Sequence, residues 1–183
     1  EDAEIRAIYF EDAWQEAVEA SEKAKAVPAL SVDGEAFKGV LAAGAPKAEP
    51  RVGADAWSVM LYTSGTTSRP KGVPRRHRAE RAAAIAHVAQ NVYGHGERTL
   101  GVMPLYHTMG VRSLRATSLI GGTFVCLPRF APEAALGLIA KEKITNLYLV
   151  PTLYHDLVHH PKFAEADVSS VRKLGFAGAS MTD

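Results

Sequence analysis

The chain is predicted to fold as an α/β protein, with a mostly parallel sheet and helices on both faces. Three observations carry that expectation. Short apolar runs alternate with longer amphipathic segments. The runs are apolar throughout, as in "WSVML" at 57–61 and "TFVCL" at 123–127, which suits strands covered on both faces. The later runs stand far enough apart for helical crossovers between parallel strands.

Taken in order, Ala7–Phe10 is a short apolar run. Over 12–25, Trp14, Ala17, Val18 and Ser21 share one helical face, with Asp12 as the N-cap. "VPALSV" reads as a strand, Asp33-Gly34 as a turn and "EAFKGVLAA" as a helix. "GAPKAEPRVGAD" is rich in Pro, Gly and charge and reads as a linker. Residues 1–52 are therefore expected to form the βα units of a preceding subdomain plus a linker, and 53–183 a second α/β subdomain. In that second part strands are predicted at 57–62, 99–103, 123–127, 145–149 and 173–177. Helices are predicted at 76–92, 110–120, 132–142 and 152–159.

A length of 183 residues fits one medium domain or a piece of a larger one. Hydrophobic residues make up 47% and charged residues 22%, the balance of a soluble globular protein. A net charge of +1 gives no global field toward nucleic acid or a membrane surface. No run of about 18 apolar residues is present, and no basic segment leads into an apolar one at the N-terminus. A cytoplasmic protein with neither a nucleic-acid nor a membrane partner is expected; composition leaves the oligomeric state open. The single cysteine, Cys126, excludes a disulfide framework and reads as a buried strand residue. The start at Glu1 and the end at "FAGASMTD", just past a strand, read as a chain cut at both ends.

"YTSGTTSRPKG", residues 62–72, follows the first strand of the second part. Gly65 and Gly72 let backbone amides approach a ligand closely. Ser64, Thr66, Thr67 and Ser68 offer short donors, and Lys71 a positive charge with Arg69 beside it. Together they suit a polyphosphate. The P-loop spacing and the G-x-G-x-x-G fingerprint are both absent. A plain polar surface loop is the competing reading.

This stretch resembles the phosphate loop of the adenylate-forming (AMP-binding) superfamily, [ST]-S-G-[ST]-[ST]-G-x-P-K-G. Thr63, Ser64, Gly65, Thr66, Thr67, Pro70, Lys71 and Gly72 match it, while Ser68 stands where the family has glycine. "MPLYHTMG" at 103–110 resembles the family's P-[LM]-[FY]-H-x-x-G, and "GFAGASM" at 175–181 resembles its G-G-A-x-[LM] strand end, with Ala177 for the first glycine. The order of segments is most like the 4-chlorobenzoate and benzoate CoA ligases of the acyl- and aryl-CoA ligase branch. The resemblance spans 57–183 and, more weakly, the earlier βα units. It implies a fragment of the large N-terminal domain of such an enzyme.

What the resemblance implies is chemistry in two steps. A carboxylic acid is adenylated by ATP with Mg²⁺, releasing pyrophosphate. The acyl group then passes to coenzyme A. Thr63, Ser64, Gly65, Thr66, Thr67, Lys71 and Gly72 would hold the nucleotide phosphates, with Lys71 also acting catalytically. His107 would stand near the carboxylate and the α-phosphate. Gly178 and Ala179 would pack against the adenylate. Ile85, His107, Thr108, Met109, Tyr148 and Ala177 would line the acyl site. That set implies a mostly apolar pocket for an aromatic or cyclic acid, or a medium-chain fatty acid. Core packing is the plain alternative for the apolar members.

The family's Y-G-x-[ST]-E segment, its ribose-binding aspartate and its C-terminal domain with a catalytic lysine are not in these residues. The parent protein is expected to be a CoA ligase, and the 183 residues alone inactive; an inactive nucleotide-binding fragment is the alternative. An α/β-hydrolase reading of Gly178-Ala179-Ser180-Met181-Thr182 fails, because Thr182 replaces the needed glycine and no histidine follows the serine. "PRRHRAER" at 74–81 reads as a solvated basic face beside an anion site rather than a nucleic-acid patch. His155 and His159 stand at i, i+4 without an evident third ligand, so no metal site is expected of the protein's own residues.

Overall fold

The structure is a computed structural model, and it describes residues 4–44, 49, 51–63 and 70–181. Two compact units divide between Val52 and Gly53.

In the first unit, β1 (Ile8–Phe10) and β2 (Ala29–Ser31) pair in parallel, followed by α3 (Glu35–Ala43). The single helix expected over 12–25 is instead a 3-10 turn (Asp12–Trp14), α1 (Gln15–Ala20) and α2 (Glu22–Lys25). Ser21 makes the break. Its backbone is extended, and its hydroxyl accepts from the Ala24 N–H at 3.2 Å, which starts the second helix. Asp12 is not the N-cap; Glu11 is, and the Asp12 N–H donates to the Asp33 carboxylate at 2.9 Å. Trp14 is exposed rather than packed.

The second unit begins with β3 (Trp57–Thr63) and β4 (Lys71–Arg76), which pair antiparallel as a hairpin, with Thr63 opposite Lys71. The sequence reading put the first of these in the parallel sheet and missed the second. Pro74 and three basic residues hide the strand in "KGVPRR". A two-stranded ribbon tolerates a proline, since no third strand asks for its missing N–H.

Helix α4 (His77–Gln90) leads into a four-stranded parallel sheet in the order β6-β5-β7-β8, with β5 (Arg98–Gly101), β6 (Thr123–Cys126), β7 (Asn146–Leu149) and β8 (Lys173–Phe176). The connections are α5 (Thr108–Leu119), α6 (Pro132–Glu142) and α7 (Pro151–Val158). Helices cover both faces. Leu100, Leu147 and Leu149 pack with Leu136 and Ile139 of α6 and Leu157 of α7. The alternate residues face α4 and α5: Thr99 bonds Asn146 at 2.8 Å and meets the Thr117 hydroxyl at 3.0 Å. Cys126 is exposed, contrary to expectation, because β6 is an edge strand.

The chain leaves β5 toward one edge and β7 toward the other, with α5 and α7 on opposite faces. Their carboxyl ends therefore flank a topological switch point, where open α/β sheets bind ligands. The "MPLYHTMG" loop leaves β5 at that point.

At the opposite end of the strands, Glu97 is 5% exposed and gathers Lys173, Thr145 and the Gly94 N–H. Burial alone would raise its pKa, but hydrogen bonds from Lys173, Thr145 and Gly94 outweigh it and hold the carboxyl at about 2. A depressed carboxylate contributes stability that is present above its unfolded pKa, near 4.5, and is lost as pH falls toward 2. Glu97→Gln is expected to cost about 2 kcal/mol at pH 7. It should also flatten the loss of stability between pH 4.5 and 2, read from urea midpoints across that range.

Candidate functional site

Three segments carry the expected site residues: the hairpin, the loop after β5 and the strand end after β8. Thr63 and Lys71 face each other across the hairpin, which sets a hydroxyl and an ammonium side by side. Lys71 is exposed. Ser64, Gly65, Thr66, Thr67, Ser68 and Arg69 lie outside the described residues. Gly72 sits opposite Tyr62, and a Cβ there would come within 2.8 Å of the Met60 sulfur.

Buried charge holds the hairpin to the helices. Glu80 of α4 is 3% exposed. It takes Arg75 of β4 at 2.8 Å and Arg115 of α5 at 3.5 Å. Arg75 also donates to the Thr108 hydroxyl at 2.8 Å, and Arg115 to the Ser58 hydroxyl at 2.9 Å. The basic segment 74–81 is thus partly internal rather than a solvated face. Arg78 pairs with Asp55 at 3.0 Å, and Arg76 lies 4.3 Å from the centre of the Trp57 ring.

His107 is exposed and caps α5: its Nδ1 accepts from the Met109 N–H at 3.4 Å. In the neutral ring the proton then sits on Nε2, which leaves an outward donor. Gly110 is demanded by close approach. A Cβ there would fall 2.2 Å from the Pro104 carbonyl oxygen and 2.4 Å from that of Met103. The spacing H-x-x-G therefore lets the loop fold tightly over the first turn of α5.

A cavity of about 320 Å³ opens between α4, α5 and the ends of β7 and β8. Tyr148 and Ala177 line it, as do His87, Asn91 and Arg112. The other expected acyl-site residues are elsewhere. Ile85 is 47% exposed and off the cavity walls, because the helix turns Ala83 and His87 inward instead. Met109 is buried core, Thr108 is engaged by Arg75, and His107 stands at the helix end. This cavity mixes apolar walls (Ala83, Ala86, Tyr148, Phe176 and Ala177) with polar ones. The missed residues left a trace in sequence: Arg112 falls three residues after Met109 and four before Ala116, on a buried face where a charge is unusual.

Gly178 has φ +91°, a left-handed conformation that favours glycine. It turns the chain so that Ala177 and Ala179 open onto different cavities. Ala179 lines one of about 540 Å³ beside α7. His155 and His159 stack at 4.0 Å, and among the described residues no cluster of three His, Cys, Asp or Glu could hold a metal ion.

The profile of the AMP-binding enzyme family matches residues 1–183, and the chain belongs to that family. It is 33% identical over 129 residues to a feruloyl-CoA synthase of Amycolatopsis sp, covering 70% of this chain and 26% of the relative. It is 37% identical over 127 residues to a 4-chlorobenzoate–CoA ligase of Pseudomonas sp. (strain CBS-3), covering 68% and 24%. The fold matches the N-terminal domain of FACL13 from Mycobacterium tuberculosis with a TM-score of 0.89 at 24% identity, over 100% of this chain and 47% of that one. It also matches the amide bond synthetase McbA of Marinactinospora thermotolerans, with a TM-score of 0.81 at 30% identity, over 99% and 37%. The chain thus spans about a quarter of the length of these curated relatives.

Gly110→Ala is expected to lower stability by about 2 kcal/mol, since backbone rather than a movable side chain blocks the Cβ. Glu80→Gln should cost about 3 kcal/mol or more by leaving two guanidiniums short of a carboxylate. Chemical denaturation of each variant checks both.

Proposed function

We propose that the protein carrying these residues is an ATP-dependent carboxylate–CoA ligase of the AMP-forming type. The observation that carries the reading is the pairing of Thr63 with Lys71 at the base of the "TSGTTSRPKG" loop, with Arg75 of the same strand bonded to Thr108 beside His107. Four residues of strand separate Lys71 from Arg75, about 13 Å. With the reach of the Lys71 side chain added, a nucleoside triphosphate can lie between them, with its terminal phosphates at the loop and its α-phosphate near His107.

In the first step a carboxylate oxygen attacks the α-phosphorus and pyrophosphate leaves. Both reactants are anions, so the work is positioning and charge compensation. Thr63, Ser64, Gly65, Thr66, Thr67, Lys71 and Gly72 hold the β- and γ-phosphates. His107 donates from Nε2 toward the carboxylate or the α-phosphate oxygen. In the second step the thiol of coenzyme A attacks the acyl carbon and AMP departs. Gly178 and Ala179 supply backbone against the adenylate. The described residues offer no cage for Mg²⁺, so the ion would arrive on phosphate oxygens, as this hard cation commonly does.

The ligase names of the relatives support coenzyme A as acceptor. The amide bond synthetase among the structural matches keeps an amine acceptor as the second reading.

Carboxylate-dependent ATP–pyrophosphate exchange tests the first step in the whole natural protein. Lys71→Ala and His107→Ala should each slow exchange about a hundredfold, while ATP binding is weakened mainly by Lys71→Ala. Equal exchange by wild type and both variants would remove the assigned roles. Thioester formation with coenzyme A, against amide formation with added amines, decides the acceptor.

A further inference from the structure

The polar cavity between α4 and α5 holds a positive charge that no carboxylate among the described residues answers. Arg75, Arg98 and Arg115 are half-buried, and each meets a carboxylate. Arg112 is half-buried too, yet it meets none among the described residues, and its buried Nε has no hydrogen-bond partner. His87, 5% exposed, lies close enough for the guanidinium to depress its pKa after burial has done so, and the ring is neutral at pH 7. The Asn91 amide nitrogen faces His87 Nδ1 at 3.4 Å; with that amide as donor, the ring proton belongs on Nε2. That nitrogen is also without a partner among the described residues. No Asp or Glu lines the cavity.

A half-buried guanidinium and a buried N–H donor, both on residues that line one cavity with no Asp or Glu in its wall, are costly to leave unanswered. A ligand carboxylate answers both, because it accepts from each and neutralises the charge. The cavity also has a fixed relation to the site of chemistry. Arg112 follows His107 by five residues on the same helix, roughly 7 Å along its axis. Two anionic groups of one small molecule can span that distance.

We infer that the cavity receives a second carboxylate on the acid substrate. The substrate class is then dicarboxylic acids of short chain or single-ring length, one carboxylate being activated near His107 and the other held by Arg112 and His87. This rests on the ligase reading and narrows its acid to a doubly charged one. The apolar pocket implied by resemblance would favour benzoates or fatty acids; Arg112 and His87 in the lining of this cavity favour an added anionic group.

The test compares pyrophosphate exchange by the whole natural protein with matched acids: glutarate against pentanoate, adipate against hexanoate, and phthalates against benzoate. Wild type should favour the diacid of at least one pair about tenfold or more in kcat/KM. Arg112→Met should lower that diacid-to-monoacid ratio about a hundredfold, chiefly through KM, and Arg112→Lys should restore part of it. If Arg112→Met does not fold, His87→Phe reads the same ratio. A wild-type preference for monoacids, or a ratio that ignores Arg112 in a folded variant, overturns the inference while leaving the ligase reading standing. Exchange with neither series by protein that binds ATP takes the ligase reading down, and this inference with it.

Discussion

The site depends on one buried carboxylate. Glu80 carries two guanidiniums, and through them four elements are pinned together: β3 by Ser58, β4 by Arg75, α4 by Glu80 itself and α5 by Arg115 and Thr108. A hairpin alone has little independent stability. Among the described residues this one pairs with no third strand, and its exposed Trp57, Tyr62 and Val73 bury little against the rest. Charge-assisted hydrogen bonds supply the directional hold that apolar contact does not. Such a network is weak as a source of net stability, because its desolvation is expensive, and strong as a device for fixing geometry. That suits the role proposed for the hairpin, which is to present Lys71 at a set distance from the end of α5.

The sheet contributes a different constraint. Its order places the carboxyl ends of β5 and β7 side by side with their helices on opposite faces. Whatever leaves β5 must therefore turn over a crevice. Gly110 allows that turn to be tight, and His107 is delivered to the rim with its Nδ1 already committed to the Met109 N–H. The same turn sets the position of the ring. At the far end of the strands, Glu97 performs the structural counterpart, tying β5 and β8 to the loop before them.

Much of this was legible before any coordinates. The four parallel strands and their helices follow from apolar runs separated by amphipathic segments, because burial on two faces imposes that pattern. The motif residues around Lys71, His107 and Gly178 were legible too, since glycine and proline mark backbone demands that few other residues meet. The failures share a cause. β4 is hidden because a two-stranded ribbon needs no continuous apolar run, and Ser21 because a side-chain cap can end a helix that periodicity extends. Cys126 was misplaced because an edge strand and a central strand can share one composition. Glu80 looked like surface because charge pairing across elements leaves no local periodic trace.

The same limit explains the pocket. Resemblance transfers the positions where relatives line a site, but not what those positions contain or which neighbours turn inward. On α4, Ile85 is exposed, while His87, two residues on, lines the cavity between α4 and α5. On α5 a single arginine at a buried position changes the electrostatics of the whole cavity. A neutral apolar ligand would leave Arg112 and His87 without partners inside the protein, and desolvating them further would oppose its binding. The polarity of the wall thus argues about the substrate's far end independently of the motifs that argue about its reacting end. The two arguments meet only in the length of α5 between His107 and Arg112.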